Sequence, residues 1–106
     1  KIFGTRQPFS GQLSQIALIG DNQNAVVTVF ITNTSGANPA IIRLAIKPQA
    51  ETTDPKHFLL YNTTISPKET VLMPNICLGP NSEVYGYSNT GSVTFNITGE
   101  KIINNP

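Results

Sequence analysis

One cysteine, one histidine, no tryptophan and a small share of charged residues are what this 106-residue chain has little of. Each shortage excludes something. Cys77 alone cannot close a disulfide within the chain, which excludes a cross-linked small scaffold. In the stretch NICLGP it reads as a small buried apolar residue. A lone Cys and a lone His, without an Asp-rich loop of calcium spacing, exclude the usual zinc and calcium sites, so no metal or cofactor is expected. His57 could act as a general base only beside a carboxylate or nucleophile brought to it by the fold, and nothing in the sequence points to one. It reads as a polar residue at a strand edge. The six carboxylates, Asp21, Glu51, Asp54, Glu69, Glu83 and Glu100, are spread over separate turns and strand ends. They read as solubilising and capping groups rather than as the acid–base pair of a glycosidase. No phosphate-cradling glycine loop and no serine or cysteine nucleophile motif is present. The expectation is a protein that is not an enzyme, with no catalytic residue.

Charge is scarce in both signs. Charged residues make up 12% of the chain and the net charge is +1, against about a quarter charged in ordinary domains. The seven basic residues, Lys1, Arg6, Arg43, Lys47, Lys56, Lys68 and Lys101, form no stripe that could neutralise a row of phosphates, so nucleic acid is not an expected partner. There is no apolar run of about 18 residues, and the N-terminus lacks the apolar core of a signal peptide, so a soluble protein with no membrane partner is expected. Asn-x-Ser/Thr triplets begin at Asn33, Asn62 and Asn96. In a chain rich in Asn and Thr such triplets arise by chance, and they are not read as glycosylation sites.

What is present is strand-like. Asn and Thr are mediocre helix formers and suit short strands with hydrogen-bonding turns. In AVVTVFITN, Val27, Val29 and Ile31 alternate with Thr28, Phe30 and Thr32; in AIIRLAIK, Ile42, Leu44 and Ile46 alternate with Ile41, Arg43, Ala45 and Lys47. That period of two marks strands with one buried face, and with TSGANP between them the pair reads as a β-hairpin over residues 25–47. Gly36 is expected at a positive-φ position in the link, and Pro39 cannot donate to a ladder. SVTFNIT is the cleanest alternation, with Val93, Phe95 and Ile97 on one side. EVYGYS puts Tyr85 and Tyr87 on one face and Val84 on the other. QIALIG, HFLLY and the span from Thr70 to Met73 are further short strands, whereas MPNICLGPNSE reads as a bend with Ile76 and Leu78 plugging the core. The expected fold class is therefore all-β: an antiparallel β-sandwich or jelly-roll-like barrel of seven or eight short strands, without significant helix. One domain is expected, since a chain of this length holds a single core.

Residues 1–14 show neither period and read as an N-terminal arm preceding the domain of residues 15–106. The arm carries Phe3 and Phe9, which would either fold back over the core or lie on a neighbouring subunit. Residues 49–56, QAETTDPK, read as an exposed contact loop containing Asp54 and Lys56. The inward set of the hairpin is expected to face Val93, Phe95 and Ile97 across the sandwich. Its outward Phe30, Ile41 and Arg43 are unusually apolar for a lone monomer, so a second layer is expected over them. Tyr85 and Tyr87, with Tyr61, could either pack at the core edge or line a sugar-binding face. The candidate interaction residues are Phe3, Phe9, Phe30, Arg43, Asp54, Lys56, Tyr85 and Tyr87.

The order of these elements resembles a family of small virion proteins of tailed bacteriophages, including marine T4-like ones. The residues that carry the resemblance are Asn33 closing an apolar strand, Arg43 inside the next, Lys56-His57-Phe58 leading to Tyr61, Leu78 at a bend, and Phe95-Asn96 with Gly99 and Ile102. It spans residues 15–103 and departs from the family pattern at LIGDNQN, residues 18–24. The resemblance implies a structural β-sandwich subunit on the particle surface. Most simply this is a capsid decoration or cement protein, docking on the major capsid protein or on neighbouring copies as a homo-oligomer. The alternative it implies is a tail, neck, baseplate or fibre module, with receptor or glycan binding possible through the tyrosines.

Overall fold

The computed structural model describes residues 2–20, 23–48 and 57–103, and the side chains of all of these except 2, 3, 48 and 101–103. Among them are eight strands and no α-helix: β1 (Ile2–Arg6), β2 (Ser14–Leu18), β3 (Gln23–Asn33), β4 (Ala40–Pro48), β5 (Phe58–Ile65), β6 (Thr70–Leu78), β7 (Ser82–Ser88) and β8 (Val93–Ile103). One sheet has the order β1-β8-β3-β6 and the other β2-β7-β4-β5, with every ladder antiparallel. The β-sandwich expected from the alternating patterns is the fold that forms.

The pairing has a simple logic. β4 pairs with β5, β3 with β6, β2 with β7 and β1 with β8. The chain is thus one long antiparallel ribbon, doubled back between β4 and β5 and then rolled until β3 meets β8 and β4 meets β7. This is the jelly-roll arrangement, in which closure leaves only four edge strands to protect. The core lies between the two sheets. β3 contributes Ala25, Val27, Val29 and Ile31, β8 contributes Val93, Phe95 and Ile97, and Ala40, Ile42, Leu44, Val84 and Ile16 come from the opposite sheet. The inward position of β7 between its two tyrosines favours glycine. A Cβ on Gly86 would stand 2.5 Å from Cδ1 of Ile16 and 3.0 Å from the Phe95 ring, which reaches across the sandwich into that space.

Several sequence expectations are corrected. β3 and β4 do not form a hairpin; they are central strands of opposite sheets. The link between them bonds to itself instead of making a tight turn. Asn33 Oδ1 accepts from the Ser35 amide (3.1 Å), Ser35 Oγ accepts from the Ala37 and Asn38 amides (3.3 and 3.0 Å), and Asn33 Nδ2 donates to the Asn38 carbonyl (2.9 Å). Such a rigid arch can cross the roughly 10 Å between stacked sheets. Gly36 is not among the positive-φ residues; Asn62, Lys68, Asn75, Asn81 and Gly11 are. Because β8 lies beside β3, with Val29 opposite Ile97 and Ile31 opposite Phe95, those residues flank the inward set of β3 rather than face it. Phe30 and the pair Ile41 and Arg43 consequently lie on opposite outer faces of the sandwich, and no single layer could cover all three.

Residues 2–6 of the expected irregular arm are strand β1, an edge strand paired with β8, in which Thr5 and Arg6 are exposed and Gly4 only half-buried, so no apolar alternation marks it. The following segment is tied to the β7–β8 connection by Gly11 N–H to the Ser88 carbonyl (2.9 Å), by Ser10 Oγ to the Asn89 carbonyl (2.8 Å) and by Gln7 to Gly91. The expected bend at 73–78 is instead the second half of β6, kinked at Asn75 (φ 57°), although Leu78 is buried and Ile76 packs on the core as expected. That kink sets Cys77 on the outer face opposite Val26, so the cysteine is exposed, not buried. His57 is buried immediately before β5.

Candidate functional site

The outer face of the β2-β7-β4-β5 sheet gathers most of the aromatic and basic side chains named from the sequence. Alternation alone sends Arg43, Ala45 and Lys47 of β4 outward, and Glu83, Tyr85 and Tyr87 of β7 with them. The register sets Arg43 beside Tyr87, Ala45 beside Tyr85 and Lys47 beside Glu83. On the other side of β4, Ile42 pairs with Thr63 and Leu44 with Leu60, so Tyr61 and Asn62 together stand opposite Arg43. That extra residue is a β-bulge, made possible by Asn62 in the left-handed region (φ 54°), which Asn tolerates better than most residues.

The bulge aims two side chains at one. The Arg43 guanidinium carbon lies 4.4 Å from the Tyr61 ring centroid and 4.6 Å from that of Tyr87, and Arg43 Nε donates to Asn62 Oδ1 at 2.8 Å. Phe58 braces Tyr61 edge-on, with centroids 5.1 Å apart and planes at 77°. Cation–π contacts of this kind contribute on the order of 0.5–2 kcal/mol each. Here they also hold the guanidinium plane in one orientation.

A second cluster lies four residues along β4. Lys47 Nζ is 3.2 Å from Glu83 Oε1 and 5.1 Å from the Tyr85 ring centroid, with both members of the ion pair nearly buried. Tyr85 donates its hydroxyl hydrogen to the same Glu83 oxygen at 2.9 Å. Burial, then the hydrogen bond to Glu83 and the charge of that carboxylate, raise the Tyr85 phenol above its ordinary value. Lys47 is therefore charge-compensated. Among the described residues no carboxylate forms an ion pair with Arg43.

Of the residues named from the sequence, Arg43, Tyr85 and Tyr87 come together on this face. Phe30 lies on the outer face of the other sheet beside Leu72. Phe9 is 72% exposed in the β1–β2 connection, so its ring does not fold back over the core. Asp54, Lys56 and the side chain of Phe3 lie outside the described residues. Tyr85 and Tyr87 stand half-buried on the outer sheet face, with the inward-facing Gly86 between them. Sequence reasoning missed Asn62, Lys47 and Glu83 as members of the cluster. The one available signal for the first was an Asn interrupting the apolar run of β5, which is where a bulge is expected.

The face is flat. No pocket is enclosed by the described residues, and among them no group of three or more His, Cys, Asp or Glu side chains could hold a metal ion. Around Arg43 lie exposed apolar groups, Tyr61 at 57% and Ile41 at 39% exposure. Aromatic rings and an arginine fixed on rigid strands, rimmed by exposed apolar side chains, have the composition of a protein-docking hot spot. No family model, curated protein or solved structure matches this chain, so the face has to be read from its own chemistry.

Proposed function

We propose that this chain is a non-enzymatic structural subunit of a tailed-phage virion. In this reading it is a capsid decoration or cement protein that docks on the major capsid protein or on neighbouring copies of itself, at the particle surface. The observation that carries the reading is the Tyr61–Arg43–Tyr87 row, held flat and rigid on a sheet face among exposed apolar side chains. Such a row suits repeated docking onto a shell, where affinity comes from a few preorganised anchors. The eight-stranded jelly roll is an architecture that viral capsid domains use, an analogy of fold that adds to the reading without replacing the site.

A tail or fibre module that binds glycans through the tyrosines is the second reading. It is favoured by the clustering of all three tyrosines on one outer face. Against it, Tyr61 and Tyr87 already spend a ring face on Arg43, and Tyr85 has Lys47 over its ring. A pyranose would have to displace these cations or use the opposite ring faces.

Quantitative mass spectrometry of purified particles separates the possibilities. The proposal predicts a copy number comparable to that of the major capsid protein. A small fixed multiple matching tail symmetry would replace it with the tail or fibre reading, and absence from the particle would overturn both.

A further inference from the structure

We infer that Arg43 is a preformed receptor for a carboxylate, and that its occupant in the docked state is an Asp or Glu side chain of the partner protein. The inference rests on the docking reading for its occupant, but the receptor itself stands on the geometry of the free chain.

A guanidinium has two faces and an edge of five N–H donors. In Arg43 it lies against Tyr61 and Tyr87, and Nε is spent on Asn62. What remains is the fork of the two terminal nitrogens, which matches the two oxygens of a carboxylate in one plane. Flexible arginines lose rotamer freedom when they bind; this one is already held by two rings and a hydrogen bond, so less is lost. Among the described residues the charge also has no carboxylate partner. The nearby carboxylate on this face, Glu83, is engaged by Lys47 and Tyr85, and no ion pair to Arg43 exists among the described residues.

The surroundings select among anions. A lone guanidinium, with Lys47 held by Glu83, suits a monoanionic carboxylate better than a phosphate dianion or a phosphate chain, which call for several donors or cations. A sugar acid would need its ring enclosed, and the face offers no concavity. A protein side chain presented from an opposing surface needs no enclosure, because the opposing surface itself excludes water around the pair. Exposed Tyr61 and Ile41 would then form the dry surround that makes the charged contact strong.

The test has two arms. In the first, the side-chain NMR signals of Arg43 in the free chain are followed during titration, at matched ionic strength, with a tetraglutamate peptide, oligogalacturonate and inorganic phosphate. The expected result is a saturable shift with the peptide that Arg43→Lys abolishes, since lysine keeps the charge and loses the fork. No shift with the peptide overturns the receptor, an equal response to phosphate reduces it to a general anion site, and preference for oligogalacturonate replaces the protein occupant with an acidic glycan. In the second arm, wild type and Arg43→Lys are bound to particles stripped of the subunit. Loss of the two-point contact should weaken the variant by roughly tenfold or more, while a cooperative unfolding transition shows that it remains folded. Equal binding of both proteins overturns the inference. Wild type that does not bind at all overturns the docking reading alone, because the first arm still reports the receptor. Should Arg43→Lys fold poorly, Asn62→Gly, which keeps the left-handed backbone of the bulge and releases Nε, is expected to weaken both readouts in the same direction.

Discussion

Replacing Val29 with aspartate is expected to leave no cooperative thermal or guanidinium unfolding transition. Val29 is 0% exposed and sits in β3, one of the two strands flanked on both sides in its sheet, opposite Met73 of β6 and Ile97 of β8. An unpaired carboxylate placed there has neither water nor a donor. The cost of burying it, or of forcing it to stay protonated, is several kcal/mol before any loss of packing is counted. A domain of this size has about 5–15 kcal/mol of stability in total. Val29→Ala separates charge from volume: loss of the buried methyl groups should cost about 2 kcal/mol and lower the melting midpoint while leaving the transition cooperative. A Val29→Asp protein that melts within a few degrees of wild type would show that β3 is not the central strand described here.

Asn33 should be almost as sensitive, for a different reason. Its side chain is fully buried and every bonding position is used. Nδ2 donates to the carbonyls of Asn38 (2.9 Å) and Ile65 (3.1 Å), while Oδ1 accepts from the Ser35 amide (3.1 Å) and from Ser92 Oγ (3.0 Å). One amide thus joins the end of β3, the arch to β4, the end of β5 and the β7–β8 connection. Asn33→Ala strands these partners, each at about 1–3 kcal/mol where water cannot replace the bond, so a loss of about 3–5 kcal/mol is expected. Asn33→Asp is the informative companion. It preserves shape and the acceptor oxygen but turns both donors into an acceptor facing two carbonyls, and it should destabilise at least as much as alanine. Chemical denaturation of both variants checks this; an aspartate variant as stable as wild type would contradict the assigned hydrogen bonds. The same burial means that the Asn33 triplet is inaccessible to glycosylation in the folded protein.

Much of the fold was legible because alternation is a local property. Val93, Phe95 and Ile97 are buried in β8 as their spacing predicts, and Tyr85 and Tyr87 share the outer face of β7. Pairing is not local. Nothing in AVVTVFITN and AIIRLAIK distinguishes two neighbours in one sheet from two central strands of opposite sheets. The deciding feature is the self-bonded Asn33–Asn38 link, whose geometry depends on Ile65 and Ser92 far along the chain. Strand β1 carries no alternation signal because Thr5 and Arg6 are exposed and Gly4 has no side chain to bury. The β6 segment was misread because Pro74 and Asn75 suggest a bend, whereas on an edge strand they make a kink that continues the ladder.

The site was legible in its members and not in its arrangement. Arg43, Tyr85 and Tyr87 stand out in a chain with few charges and few aromatics. That Tyr61 and Asn62 both reach Arg43 follows from a bulge that shifts register by one residue, and that Lys47 and Glu83 neutralise each other follows from the β4–β7 ladder. Neither can be read from spacing along the chain. The fit of Gly86 between the two tyrosines is not legible either, since the Phe95 ring that fills the space beside it comes from the opposite sheet.

Hydroxyl-radical footprinting of the free chain and of intact particles tests the central claim most directly, because it asks which outer face is covered. Tyr61 and Ile41 report on the β2-β7-β4-β5 face, and Leu72, 51% exposed on β6, reports on the other sheet. Docking through the Arg43 face predicts that Tyr61 and Ile41 are labelled in the free chain and strongly protected on the particle, with Leu72 changing far less. Equal labelling of Tyr61 and Ile41 in the two states, or protection confined to Leu72, would contradict it.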